Sequence, residues 1–306
     1  MASREENNEK VVAALLASLE AGDIPPWRKA WNADSATPRS MSTGKPYRGS
    51  NRFFLGFSAM AKDYSDPFWG TFNQIKARGG QVRKGEKSTF VILWARKEDK
   101  RKDRLPDGSF PTFLFTRVYS VFNADQCDWP EGSQRRRLPT GLIRTHVEVI
   151  DAAERVMQGY WKRDGSPKVA FGGDRAYYSP RGDNIRLPAR EAFLTDDGFY
   201  QAAFHESAHS TGHSTRLNRE GVVEGHYFGE ALYAAEELVA EITSMFLGAF
   251  TGLAPATLDN STAYIKSWLG ALKNDPGMVV KAAADAQKAA DLILGDEADD
   301  SELEED

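Results

Sequence analysis

The chain has 306 residues, 41% hydrophobic and 27% charged, with a formal net charge of −5 and a mean hydropathy of −0.52. That length fits two domains of about 150 residues each, and the composition excludes collagen-like, fibrous and wholly disordered chains. No apolar run approaches the ~18 residues a spanning helix needs, and the polar, acidic start MASREENNEK with a single cysteine, Cys127, points to the cytoplasm, with no membrane and no internal disulfide.

Residues 8–22 place Val11, Val12, Leu15, Leu16 and Leu19 at helical spacing and stop at Gly22, which predicts a first amphipathic helix. The segment IPPW breaks it. Residues 27–52, rich in Pro, Gly, Ser and Thr, read as loop, and SNRFFLGFSAMAK reads as a helix opened by Ser50 or Asn51 as N-cap. STFVILWARK and FPTFLFTRVYSVFN, on either side of a charged turn containing Gly108, read as a β-hairpin. The first domain, residues 1–130, is thus α+β. Pro, Gly and an arginine run in WPEGSQRRRLPTG mark the boundary, with 131–141 as linker. In the second domain, 142–295, residues 144–160 read as a helix and GGDRAYYSPRGDNIRLP as short strands. Three more helices follow near 197–211, 228–250 and 260–273, so this domain is mainly helical. Eight of the last eleven residues, 296–306, are acidic and read as a solvated, disordered tail.

Charge divides at the same boundary. Residues 1–137 hold 24 Lys+Arg against 16 Asp+Glu and 18 of the 34 aromatic residues, whereas 138–306 hold 15 against 28. A basic, aromatic front suits a polyanion. Trp27-Arg28, Tyr47-Arg48, Asn51-Arg52 and Arg83-Lys84 interleave cations with aromatic or glycine-rich stretches, the mixture that binds single-stranded nucleic acid through phosphate contacts and base stacking. Packing is an equal alternative for Trp27, Trp31 and Tyr47.

In the back half, His205-Glu206-Ser207-Ala208-His209 forms an HExxH motif in a stretch with the Ala and Phe content of a buried helix. Residues four apart share a helical face, so His205 and His209 can offer two imidazoles to one metal while Glu206, one residue round, reaches a water activated there. A catalytic zinc wants a third protein ligand. The helix around YAAEELVAE carries Glu236, Glu237 and Glu241 in an apolar setting, where buried carboxylates need compensation. The spacing favours Glu237 as ligand and Glu241 as support for a ligand imidazole, with Glu236 a rival because helical phase can slip by one residue. His213 is a further candidate, but it lies four residues after His209 where the metzincin pattern wants six; Gly212 would end the helix before it. Zinc is the expected ion, and the same donors accept manganese or cobalt.

The segments DIPPWRKAW, YRGSNRFFL, GGQVRKGEKS and FTRVYSVFNADQ, followed by FHESAHSTGH and YAAEELVAE, occur in an order that resembles the ArdC-type antirestriction proteins of conjugative plasmids, whose front domain is also related to that of TraC-type plasmid primases. The resemblance covers roughly residues 7–275. It implies a front domain that binds single-stranded DNA and a zincin-like metallopeptidase domain whose HExxH falls on His205, Glu206 and His209. Together they would protect incoming plasmid DNA during conjugation, with a host restriction protein as a candidate partner. The competing reading is a strand-shielding protein whose metal is only structural.

Overall fold

The computed structural model describes residues 37–98, 112–137, 146–223, 231–253 and 277–295, with a few isolated positions besides. The expected helix over 8–22, Trp27 and Arg28, the helix near 260–273 and the acidic tail lie outside the described residues.

The front of the chain builds a four-stranded sheet in the order β1-β2-β5-β4. Strand β1 (Arg39–Ser40) runs parallel to β2 (Phe68–Thr71), which pairs antiparallel with β5 (Thr112–Asn123). Strands β4 (Thr89–Glu98) and β5 form the hairpin read from the sequence, with Val91 opposite Tyr119 and Thr89 opposite Val121. A two-stranded ribbon, β3 (Gln81–Val82) with β6 (Cys127–Asp128), extends this unit. Helix α1 (Gly49–Ala61) lies over the sheet. Its Leu55 joins Trp69, Val91 and Val121 in one cluster, while Phe53, Phe54 and Phe57 enter a larger core made chiefly by the back half. Helix α1 thus presents apolar side chains to both sides, and it is covered by the sheet on one face and by helices of the back half on the other.

Helix α1 begins at Gly49 rather than at a Ser50 or Asn51 cap. The Asn51 amide is used elsewhere: its Nδ2 donates to Ile92 O at 2.8 Å and its Oδ1 accepts from Ile92 N at 2.7 Å, tying α1 to β4. The short helix α2 (Phe72–Ala77), opened by a Thr71–Gln74 capping box, is not visible in the hydrophobic pattern. Nor does the arginine run at the compositional boundary lie free in solvent. Arg135 pairs with Asp66 at 2.7 Å and Asp125 at 3.2 Å, and Arg136 donates to Met41 O and Ser42 O, so residues up to 136 are stapled to the front sheet.

The back half holds α3 (His146–Trp161), a three-stranded sheet β7 (Lys168–Phe171), β8 (Tyr177–Ser179) and β9 (Asn184–Leu187) in the order β7-β9-β8, then α4 (Asp196–Thr211), α5 (Glu220–Val223), α6 (Ala231–Thr251) and α7 (Met278–Leu294). Thr195 caps α4 by accepting from Gly198 N, with Asp196 and Asp197 in the first turn complementing the helix dipole. Met157, Tyr200, Phe204, Leu238, Ile242, Phe246, Val279, Ala283 and Ile293 fill the core at 1% exposure or less. Helix α7 was missed from sequence, and it packs on α6, α1, α4 and α3. Across the α1–α7 seam Arg48 pairs with Asp291 at 2.5 Å, and Gln287 accepts from Gly49 N at 3.1 Å.

Candidate metal centre

Helices α4 and α6 cross so that three donor groups converge. His205 and His209, one turn apart on α4, turn their Nε2 atoms toward each other at 3.1 Å. Glu237 of α6 reaches both: Oε2 lies 3.5 Å from His205 Nε2, and Oε1 lies 3.5 Å from His209 Nε2. One ligand atom from each of the three residues lies within 4.8 Å of the others, the only such His/Cys/Asp/Glu group among the described residues.

The opposite edges of the rings are held separately. Glu236 Oε1 is 3.1 Å from His209 Nδ1, and Glu241 Oε1 is 3.8 Å from His205 Nδ1. A carboxylate at Nδ1 favours the tautomer with its proton there and leaves the Nε2 lone pairs facing the common point, as in imidazoles that bind a metal. Glu236 is in turn gripped by Arg219, whose Nη2 and Nε donate to its two oxygens at 2.6 and 2.9 Å. Arg219 also donates to Thr211 Oγ1 and Ala208 O, capping the end of α4. Two glycines permit this. A Cβ on Gly212 would lie 2.5 Å from Val222 and 3.0 Å from Arg219, and one on Gly221 would lie 2.9 Å from the Glu236 Cβ. Gly212 does end α4, but with φ −77 its role is close approach rather than a left-handed cap.

Charge at the centre follows from these contacts. Burial opposes a protonated His205, yet the hydrogen bond to Glu237 and the fields of Glu241, Glu237 and Glu206 outweigh it and push its pKa up to about 10. His209 is raised, against burial, by Glu237 and Glu236. Burial would lift Glu237, but His209, His205 and a hydrogen bond with Tyr233 bring it down to about 2. The Arg219 pair answers Glu236, so Glu237 and Glu241 are left facing two imidazoles. Such a set needs a cation, whether a proton or a metal ion, and two imidazoles plus one carboxylate fit a divalent ion. Glu206 is half-buried beside His205, and its carboxylate makes no hydrogen bond or ion pair among the described residues.

The other sequence candidates are placed as follows. His213 lies past the end of α4, with Nδ1 2.8 Å from Thr215 Oγ1, and it is outside the converging group. Tyr47 packs against the Leu55–Trp69 cluster, Arg48 pairs with Asp291, and Asn51 is buried against β4. Arg52 stacks over the Phe246 ring at 4.4 Å and donates to Phe246 O; burial, with Arg48 nearby, lowers its pKa to about 10. Arg83 reaches Glu86 at 3.0 Å and Asp125 O at 2.6 Å on the surface, beside exposed Lys84. Arg219 was missed from sequence; its one advance signal is that three glutamates on α6 outnumber the two histidines available to them.

Residues 5–122 match the family described as the N-terminal domain of anti-restriction factor ArdC, and residues 161–285 match a zincin-like metallopeptidase family. Two crystal structures of the antirestriction ArdC protein from plasmid R388 are similar. The metal-free form has a TM-score of 0.70 at 38% identity over 94% of this chain and 96% of that one; the Mn(II)-bound form has 0.71 at 37% over 96% and 98%. A DNA primase TraC of Escherichia coli is 36% identical over 94% of this chain, which spans only 20% of the primase, and an uncharacterized protein y4eC of Sinorhizobium fredii is 32% identical over 95% of this chain and 92% of its own length. No described helix is long and apolar enough to cross a membrane.

Proposed function

The chain belongs to the ArdC family of antirestriction proteins and carries a zincin-like metallopeptidase domain, and we propose that it coats single-stranded DNA with its front half while a zinc-dependent hydrolytic site in its back half acts on a host restriction protein, protecting incoming plasmid DNA during conjugation in the recipient cytoplasm. The observation that carries the hydrolytic half is the convergence of His205, His209 and Glu237 beside the unpaired carboxylate of Glu206. His205, His209 and Glu237 would hold the ion, and a divalent metal there supplies Lewis acidity toward an amide carbonyl. The remaining work belongs to the chain. Glu236 and Glu241 fix the ring orientations, Arg219 keeps Glu236 ionised and in place, and the Glu206 carboxylate takes a proton from an attacking water. Zinc suits this donor set, and manganese and cobalt are accommodated by it. Basic, aromatic character in residues 1–137 supports the nucleic-acid half.

Metal counting on the full chain tests the centre. The expectation is one equivalent of zinc in the parent and none after His205→Ala; unchanged stoichiometry defeats the assignment. Glu206→Gln should keep the metal and abolish hydrolysis. If Glu206→Gln retains full antirestriction in a conjugation assay while variants that no longer bind oligonucleotide lose it, strand occupancy protects the DNA and the metal is structural.

A further inference from the structure

The turn after β1 collects positive charge with no carboxylate paired to it among the described residues. Residues 41–44 fold back on β1, with Gly44 N donating to Ser40 O at 2.8 Å. Three guanidinium groups from separate stretches close on this turn. Arg39 Nη1 donates to Gly44 O at 3.2 Å, Arg78 Nη2 and Arg136 Nη2 share Ser42 O at 3.2 and 2.6 Å, and Arg136 Nε reaches Met41 O at 2.9 Å. Arg78 Nη1 also meets Gln134 O at 3.4 Å. Every one of these acceptors is a neutral backbone carbonyl, and none of the three arginines makes an ion pair among the described residues.

The contrast within the same unit is direct, because Arg48, Arg83 and Arg135 each have a carboxylate. A backbone carbonyl satisfies a donor but leaves the cation's charge unanswered. The donors are also incompletely used: Arg39 Nε is shielded from solvent and has no acceptor. Gly44, at φ +79, keeps the arrangement open, since a Cβ there would lie 2.5 Å from Arg136 Nη1. Exposed Lys45, the residue after Gly44, adds a fourth cation, and the half-buried Ser42 adds a hydroxyl.

We propose that Arg39, Arg78, Arg136 and Lys45 around the 41–44 turn form a phosphate-binding site, occupied by a phosphodiester of the single strand bound to the front half. Guanidinium forks match phosphate oxygens bidentately and are weakly hydrated, so three of them at one turn suit that anion. The site rests on the single-strand reading only for the source of the phosphate.

Two variants of the full chain test it, Arg78→Gln and Lys45→Gln, the second removing a side chain that makes no hydrogen bond among the described residues. The first readout is binding of an oligothymidylate across a salt series. Each variant should bind at least tenfold more weakly at low salt, with a log–log salt slope shallower by about 0.7 for each phosphate no longer neutralised. The second is thermal stabilisation by inorganic phosphate over chloride at equal ionic strength, present in the parent and diminished in both variants. Unchanged affinity and slope in both variants, with the parent binding well, overturn the site and leave the single-strand reading standing. Phosphate stabilisation that depends on Arg78 in a parent that binds no oligonucleotide keeps the site and removes the strand as its source. A parent that responds to neither probe overturns both.

Discussion

At the metal centre every carboxylate of α6 faces a counter-charge: Glu236 has Arg219 and His209, Glu237 has both imidazoles, and Glu241 has His205. At the turn after β1, three guanidiniums face only carbonyl oxygens among the described residues. The first region is buried, so its charges must be matched within the fold; the second is half-exposed, so water and salt tolerate the imbalance until a ligand answers it. One substitution should therefore cost the first region stability and the second region binding.

The largest break in that contrast is expected from Arg219→Met. Arg219 and Glu236 have side-chain exposures of 9% and 7%, so removing the cation strands a buried carboxylate beside the His209 imidazole. Losing one partner of a buried pair costs about 3–5 kcal/mol, and a missing support for a ligand ring typically weakens metal binding by about 10- to 100-fold. Urea unfolding of the metal-free protein and a zinc competition titration measure the two effects; a change below 1 kcal/mol in the first would mean that Arg219 is not what compensates Glu236. The Glu236→Gln, Arg219→Met double variant should recover part of the stability.

Removing the metal sharpens the contrast through pH. His205 titrates near 10 in the folded chain, above its ordinary value of 6.5, so its contribution to stability is complete below about 6.5 and is lost as pH rises toward 10. Glu237 titrates near 2 rather than 4.5, so its contribution is complete above about 4.5 and is lost as pH falls toward 2. As far as this centre is concerned, the metal-free protein should be most stable between about pH 4.5 and 6.5. A metal ion must displace the imidazole protons, so zinc affinity should rise with pH above 6.5 and binding should release protons. Chelated protein followed by thermal melts across pH checks the first point, which a pH-independent melting temperature between 6.5 and 9 would contradict, and titration calorimetry in two buffers of different ionisation enthalpy checks the second.

Much of this centre was readable in advance because helices obey a fixed period. The HExxH spacing put His205 and His209 on one face, and counting by four put Glu237 and Glu241 on one face of the next helix; the structure places all four side by side. Arg219 escaped because a turn, not a helix period, delivers it, and the delivery depends on two glycines whose purpose is visible only when their neighbours are known. Helix α7 escaped because its buried stripe is largely alanine, at Ala282, Ala283, Ala286, Ala289 and Ala290, which contrasts weakly with the polar positions between. In the front half the difficulty was chemical. Asn, Arg and Tyr among aromatics describe a nucleic-acid surface, and they equally describe polar bridges between packed layers.

Asn51→Ala separates those two meanings, with a smaller effect than Arg219→Met. Asn51 is 7% exposed and satisfies both the N–H and the carbonyl of Ile92, itself 1% exposed. Alanine leaves the two Ile92 groups without a partner in a position water cannot reach, at a cost of about 1–3 kcal/mol. Oligonucleotide affinity, corrected for the fraction folded, should stay within twofold of the parent. Arg78→Gln should show the reverse pattern, with little change in unfolding and a clear loss of binding. If instead Asn51→Ala unfolds like the parent and binds the strand poorly, the asparagine belongs to the DNA surface, and α1 turns that side chain outward when the strand arrives.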